Sequence, residues 1–469
     1  MKYGWITSIR SKGKELFEVI ANEQVKINIL QAIPFWIASF ITGAVAVIYS
    51  KLFTYSEGLL QKALHWHAWS IFLLAPLCFL TAWFIVKLFA PNAKGSGIPQ
   101  VMAALDLSST KDEDKISGLL SIRILLTKIA SSFLMVLGGG AVGREGPTIQ
   151  IAGSVFRMVN KWIPASWSKL SEKSFILTGA AAGLAAAFNT PLGGIVFAIE
   201  ELAKVHINYF KTALFAAVII AGLTAQALLG PYLYLGYPDV KNLSKLVFLG
   251  VVATAIVAGI LGSFMCKIIL RFIRWKNTFS NTKNIVYIIA TGLIVATIAF
   301  TVNTHILGSG KELMNETLFS TNKHSPWHTV LLRILGPILS FNVGAAGGIF
   351  APSLAAGAAV GSFLSGVMHV VGANANILIL SGMVGFLTGV TRTPFTSAIL
   401  VLEMTDRHSV IFHLMLAAMV ANIVALMVDK HSFYEQLKKG YLDDAKADGA
   451  TPPLSSSPLP SSPAVPPAA

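Results

Sequence analysis

Of 469 residues, 54% are apolar and only 12% are charged, against roughly 45–50% and 25% in an ordinary soluble domain. With a mean hydropathy of +0.67, too little polar surface remains to coat a water-soluble globule. A soluble multidomain enzyme, a disordered chain and a secreted disulfide scaffold are excluded. The net charge of +14 sits in clusters that flank apolar runs, so it marks membrane-adjacent loops and not a nucleic-acid surface. The composition is that of an all-α polytopic membrane protein. Its apolar runs are too long and continuous for the period-two pattern of a β-barrel.

Taken in chain order, residues 1–29 form a cytoplasmic segment too polar for a signal peptide, so the first span is expected to stay as an anchor. About 400 residues follow before the polar end, room for on the order of 14 to 18 segments at roughly 20 residues each. The 39 glycines favour helices that pack closely, break or stop inside the bilayer. Lys and Arg collect at Lys2, Arg10, Lys12 and Lys14, again from Lys267 to Lys283, and at Lys430, Lys438 and Lys439. The positive-inside rule places these groups, and both termini, in the cytoplasm.

An internal repeat runs through the chain. The stretch from Leu177 to Glu200 aligns without gaps on Leu380 to Glu403, and Gly143 to Pro147 answers to Gly348 to Pro352. Farther back, Arg123-Ile-Leu answers to Arg333-Ile-Leu, and Gly95-Ser-Gly answers to Gly308-Ser-Gly. Two membrane repeats, 30–228 and 245–432, are thus joined by a linker, 229–244. A cytoplasmic helix at 433–450 and a Pro/Ser/Ala-rich tail at 451–469, read as disordered, complete the chain. These residues alone leave open whether the repeats are parallel or inverted. Paired repeats with Gly/Pro-interrupted segments are the mark of a transporter with a midplane site.

Three Gly-rich turns end in proline and open into apolar stretches: Gly95-Ser-Gly-Ile-Pro99, Gly143-Arg-Glu-Gly-Pro147 and Gly347-Gly-Ile-Phe-Ala-Pro352. Proline suits the first turn of a helix, so each string reads as a helix N-terminus. Such ends carry unpaired N–H groups and about half a positive charge, which suits an anion. Gly143, Arg144, Gly146 and Gly348 are therefore expected to line an anion site. Glu145 places a carboxylate there. It is either a plain cap or a switch that fills the site when ionised and leaves it when protonated.

Glu200 recurs as Glu403, whereas Glu201 faces Met404 in the second repeat. The repeated residue reads as architectural, a helix-end hydrogen bond; the unrepeated one is free for proton uptake or is simply a solvated glutamate. Gly138-Gly-Gly-Ala-Val-Gly143 fits G-x-G-x-x-G but follows a helix-length stretch and lacks its acidic partner, so a dinucleotide site is rejected. Cys78 and Cys266 read as packing residues, and neither the cysteines nor the ten histidines have metal-ligand spacing. No enzyme, metal or cofactor is expected.

Together these strings resemble the CLC family of chloride channels and chloride/proton antiporters, of the prokaryotic type without CBS domains. The resemblance runs from about residue 30 to about 440. It implies inverted-topology repeats of broken, tilted helices and a homodimer with one pathway per subunit. It implies chloride as bound substrate, held by Ser96, by the backbone N–H groups of Ile349 and Phe350, and by a C-terminal tyrosine, Tyr434 or else Tyr441. Glu145 becomes the external gate and Glu201 the internal proton glutamate, which favours an antiporter over a passive voltage- or pH-gated channel. Ser96 in the first string is similar to chloride-preferring members. The expected location is a bacterial inner membrane, with chloride, protons and lipid as partners.

Overall fold

Glycine and proline cut the chain into helices. A computed structural model describes residues 23–110, 112–164, 171–203, 211–230 and 233–447. The N-terminal basic cluster, two linker residues and the tail lie outside the described residues. Among those described, the regular elements are helical apart from two isolated bridges, Gly95 with Ala346 and Gly143 with Gly348.

The first half contains α1 (Glu23–Trp66), α2 (Ile71–Phe89), α3 (Ile98–Leu107), α4 (Ile122–Leu137), α5 (Glu145–Trp162), α6 (Glu172–Phe188), α7 (Pro191–Phe197) and α8 (Lys211–Leu229). The second repeats this order with α9 (Val247–Lys276), α10 (Asn281–Thr301), α11 (Lys311–Phe319), α12 (Trp327–Phe341), α13 (Phe350–Val367), α14 (Gly372–Thr391), α15 (Pro394–Thr405) and α16 (Ile411–Val428). A last helix, α17 (Phe433–Ala447), returns to the interior.

The repeat extends to backbone angles. Asn189 and Arg392 end α6 and α14 in the left-handed region, at φ 58° and 63°. Thr190 and Thr393 follow at φ −128° and −118°, both with ψ 80°, and Pro191 and Pro394 then start α7 and α15. Left-handed backbone is uncommon for an arginine. Arg392 is held there by its own guanidinium, which donates to the Asp429 carbonyl from Nε at 3.4 Å and Nη2 at 3.2 Å.

The two halves are inverted, and a pair of carboxylates makes this visible. Glu200, just past α7, accepts from the N–H groups of Phe395 and Thr396 at 3.1 and 2.7 Å and from the Thr396 hydroxyl at 2.7 Å. Glu403, near the end of α15, accepts from the N–H groups of Leu192 and Gly193 at 3.0 and 2.6 Å. Each helix end thus caps the start of its repeat counterpart, which is possible only if the two run antiparallel. The bridge between Gly143 and Gly348 is antiparallel as well.

Nine helices among the described residues are long and apolar enough to cross a membrane, fewer than the 14 to 18 segments expected from length. The difference lies in short elements. Helices α3 and α11 have 10 and 9 residues, and at about 1.5 Å per residue they cover only half the hydrocarbon core. The most apolar stretches of α13 and α14 are 78% and 89% buried, whereas those of α10 and α16 are 33% buried. The former pair, rich in Gly and Ala, forms the centre; the latter lie at the periphery of the chain.

If Glu200 and Glu403 are reciprocal caps, Glu200→Ala and Glu403→Ala should each lower stability in detergent by about 1.5–3 kcal/mol, the worth of hydrogen bonds to a charged group. Denaturation midpoints equal to wild type in both variants would remove the capping role.

Candidate functional site

Three helix N-termini, those of α3, α5 and α13, converge on one buried region. Gly97, which caps α3, has φ +105°, and a side chain there would meet Gln150 Cβ and the Gly146 carbonyl at 2.8 Å. Gly146 is constrained from the other side, because a Cβ on it would lie 2.9 Å from the Ser96 carbonyl and would strike the Ser96 hydroxyl. Glycine at both positions lets the Ser96 turn sit directly on the first turn of α5. First-turn N–H groups have no intrahelical acceptors, so the helix ends make the region electropositive before any side-chain cation is counted.

Glu145 is the first residue of α5 and only 1% exposed. Its carboxylate lies beside Gly143 and Ala351, next to the first turns of α5 and α13, and its Oε2 completes no hydrogen bond among the described residues. The tethered anion therefore spans the opening shared by the two helices. Behind it, Gly143 N–H donates to the Gly348 carbonyl at 2.7 Å and Gly348 N–H returns the bond at 2.8 Å. These two glycines were expected to line an anion site. Their N–H groups are instead used to lock the two repeats together, and the opening is left to the residues that follow them. Arg144 turns away, its Nη1 donating to the carbonyl and hydroxyl of Ser50.

Ile349 caps α13 and Phe350 begins it, both fully buried. The Phe350 ring stacks on Tyr434 from α17, centroids 6.3 Å apart and planes 9° from parallel. The Tyr434 and Ser96 hydroxyls are 0% and 1% exposed residues brought close enough to interact. Neither completes a well-formed hydrogen bond among the described residues, an arrangement that calls for a third polar partner. Tyr441 is placed differently. Its hydroxyl accepts from Gln100 Nε2 at 2.9 Å, and burial pushes its phenol above the ordinary range. It lines the wall of a cavity of about 420 Å³ that reaches Ser96 past Lys94, Gln100 and Lys276.

After Phe197 the backbone widens into a π-helical turn, Ala198–Ala203, which separates the directions of two adjacent glutamates. Glu200 goes to the α15 cap, and Glu201 turns inward, 5% exposed. Glu201 lines a small cavity of about 80 Å³ together with Asp106, Lys173 and Lys438. Lys438 and Asp106 form an ion pair at 2.8 Å on this cavity. A polar recess thus reaches a buried carboxylate.

The structure adds residues that sequence reasoning passed over. Tyr234, in the linker, is 3% exposed and donates to Glu145 Oε1 at 3.5 Å. Glu57 in α1 accepts from the hydroxyl of Ser309 at 2.8 Å; Ser309 is the repeat counterpart of Ser96, put to a different use. Lys311 holds its Nζ 4.5 Å above the Tyr234 ring. An aromatic tucked between turn residues was the one available signal for Tyr234, and no motif marked Glu57. Among the described residues no group of three or more His, Cys, Asp or Glu could hold a metal ion.

The chain matches the voltage gated chloride channel family over residues 78–426. It is 29% identical over 420 residues to the H+/Cl− exchange transporter ClcA of Citrobacter koseri, covering 85% of each chain. To the ClcA of Salmonella arizonae it is 28% identical over 415 residues, again covering 85% of each. Its fold is similar to that of a slow cyanobacterial Cl−/H+ antiporter, with a TM-score of 0.75, 23% identity, and coverage of 88% of this chain and 98% of that one. A CLC-type fluoride/proton antiporter is similar at a TM-score of 0.73 and 19% identity, with 87% and 98% covered.

The close seat of Ser96 on Gly146 gives a direct test. Gly146→Ala should destabilise the protein by about 1–3 kcal/mol through overpacking, and Ser96→Gly in the same chain should recover part of that loss. A Gly146→Ala protein as stable as wild type would mean that the two turns are farther apart.

Proposed function

Because this chain belongs to the voltage gated chloride channel family, we propose that it is a secondary transporter that exchanges chloride for protons across a membrane. The observation that carries the reading is the Glu145 carboxylate lying across the joint opening of α5 and α13. An anion attached to the protein occupies a place built from N–H groups, so a free anion can enter only when the attached one is discharged.

The chemistry follows from that competition. A proton from outside binds the Glu145 carboxylate, removes its charge, and releases its hold on the helix ends. Chloride, stripped of water, then takes the N–H groups and is held farther in by the hydroxyls of Ser96 and Tyr434 and the N–H groups of Ile349 and Phe350. The proton leaves Glu145 towards Glu201 and the polar recess beside Asp106 and Lys438, and the restored carboxylate returns to the opening. Tyr434, not Tyr441, is assigned to the ion because its hydroxyl faces Ser96, while that of Tyr441 is engaged by Gln100. A passive channel would have no use for a buried Glu201 on a polar recess. No cofactor is required.

The transporter is assigned to a bacterial inner membrane with both termini in the cytoplasm, which the basic cluster from Lys267 to Lys283 supports. It is proposed to work as a homodimer, one pathway per subunit, through the outer faces of α7, α8, α15 and α16. Ile199, on this side, is 48% exposed, and Ile199→Trp should yield monomers that still carry chloride.

Liposomes that report chloride and proton flux together test the mechanism. Wild-type protein should drive chloride uphill with an imposed pH gradient and speed up as external pH falls. Glu145→Gln should carry chloride with no response to that gradient, and Glu201→Gln should lose proton movement alone. Tyr434→Phe should weaken chloride binding by roughly 1.5–3 kcal/mol at most, whereas Tyr441→Phe should leave it unchanged. A Glu145→Gln protein that still moves protons against a chloride gradient would falsify the mechanism.

A further inference from the structure

Tyr234 reaches the gate from a segment with no helical structure of its own, and four separate contacts fix it there. Its ring meets Phe188 edge-on, centroids 5.1 Å apart at 83°. The Lys311 ammonium stands 4.5 Å over the same ring. The next residue, Leu235, donates its N–H to the Met404 carbonyl at 3.1 Å, which pins the linker to α15. The hydroxyl ends 3.5 Å from Glu145 Oε1, at the outer limit of a hydrogen bond. A loop tyrosine that served only as packing would not need its one polar atom turned to the one buried carboxylate of the opening.

We propose that Tyr234 is a positioning residue for the gate: its hydroxyl donates to the ionised Glu145 carboxylate and holds it across the opening of α5 and α13, with Lys311 steadying the ring. The proposal rests on Glu145 being the point where chloride and protons compete. The donor favours the charged form of the carboxylate and offers nothing comparable to the neutral acid, which has its own proton to give. Tyr234 therefore sets how much acid is needed to open the pathway. It acts among other charges. Arg144, just before α5, and Lys311 on α11 attract the carboxylate, and Glu57 on α1 repels it. Tyr49 on α1 and Tyr434 on α17 also face it, and the Tyr49 hydroxyl is already committed to Ser132 at 2.8 Å. Among the described residues facing Glu145, Tyr234 is the one supplied by the connection between the repeats.

The test uses the full chain in liposomes, with internal pH held constant and external pH varied. Tyr234→Phe keeps the ring, its edge contact with Phe188 and its cation, and removes only the hydroxyl. The midpoint of activation should move to higher external pH by about one unit, a tenfold change in proton concentration, while the ratio of protons to chloride is kept. In a Glu145→Gln background, where no carboxylate remains to be held, the same substitution should leave chloride flux unaltered. An unshifted midpoint in Tyr234→Phe overturns the proposal, and so does a change of flux in the Glu145→Gln background. If wild-type protein itself shows no coupled exchange, the failure lies instead in the assignment of function.

Discussion

A helix that begins inside a bilayer carries N–H groups into hydrocarbon, where no water can pair with them. Everything distinctive about this chain answers that constraint. Some of the exposed donors are tied to carboxylates of the opposite repeat, as at α7 and α15. Others are removed by proline in the first turn. Those at α5 and α13 are turned towards one another, where a single side-chain carboxylate can reach both. The same unmet hydrogen-bonding capacity that would destroy an ordinary span becomes, when gathered in one place, a region of positive potential.

The repeat supplies the geometry, and departures from it supply the direction. Ser96 and Ser309 occupy equivalent turns, yet one faces Tyr434 and the other donates to Glu57. Arg333 is buried and donates to the carbonyls of Leu307 and Gly308, whereas its counterpart Arg123 is exposed. The π-helical widening after α7 has no equivalent in α15, which stays α-helical through Glu403. A perfectly symmetric pair of halves would present the same chemistry to both sides of the membrane. These three differences, with Glu145 at the start of α5 where α13 has Phe350, leave one opening with a carboxylate and another region with a tyrosine and a polar recess.

Much of this was legible in the chain because broken helices have a narrow chemistry. Gly-Ser-Gly-Ile-Pro and its relatives announce helix starts, and a carboxylate inside one of them announces itself. The repeat was readable because the Thr-Pro turns and the terminal glutamates keep their spacing. What could not be read were the partners. Nothing near Glu200 in sequence points to Thr396, 196 positions away, and nothing in the linker points Tyr234 at Glu145. The different surroundings of Tyr434 and Tyr441 were not legible either, since both lie on one helix two turns apart. Length alone could not tell spanning segments from short ones, because elements such as α3 and α11 are helices too short to cross the hydrocarbon core.

The crossed glutamates also say something about how such a chain could have arisen. The contact between α7 and α15 is isologous: the same surface meets itself about a two-fold axis, with the end of one helix on the start of the other. A half-length ancestor inserted in both orientations could have made this contact with its own inverted copy, using one glutamate twice. Joining the copies by a linker then freed each glutamate to diverge without dissolving the pair. The glutamate of the cap is kept in both halves while the residues it caps differ, and the contact serves as the internal seam of a single polypeptide.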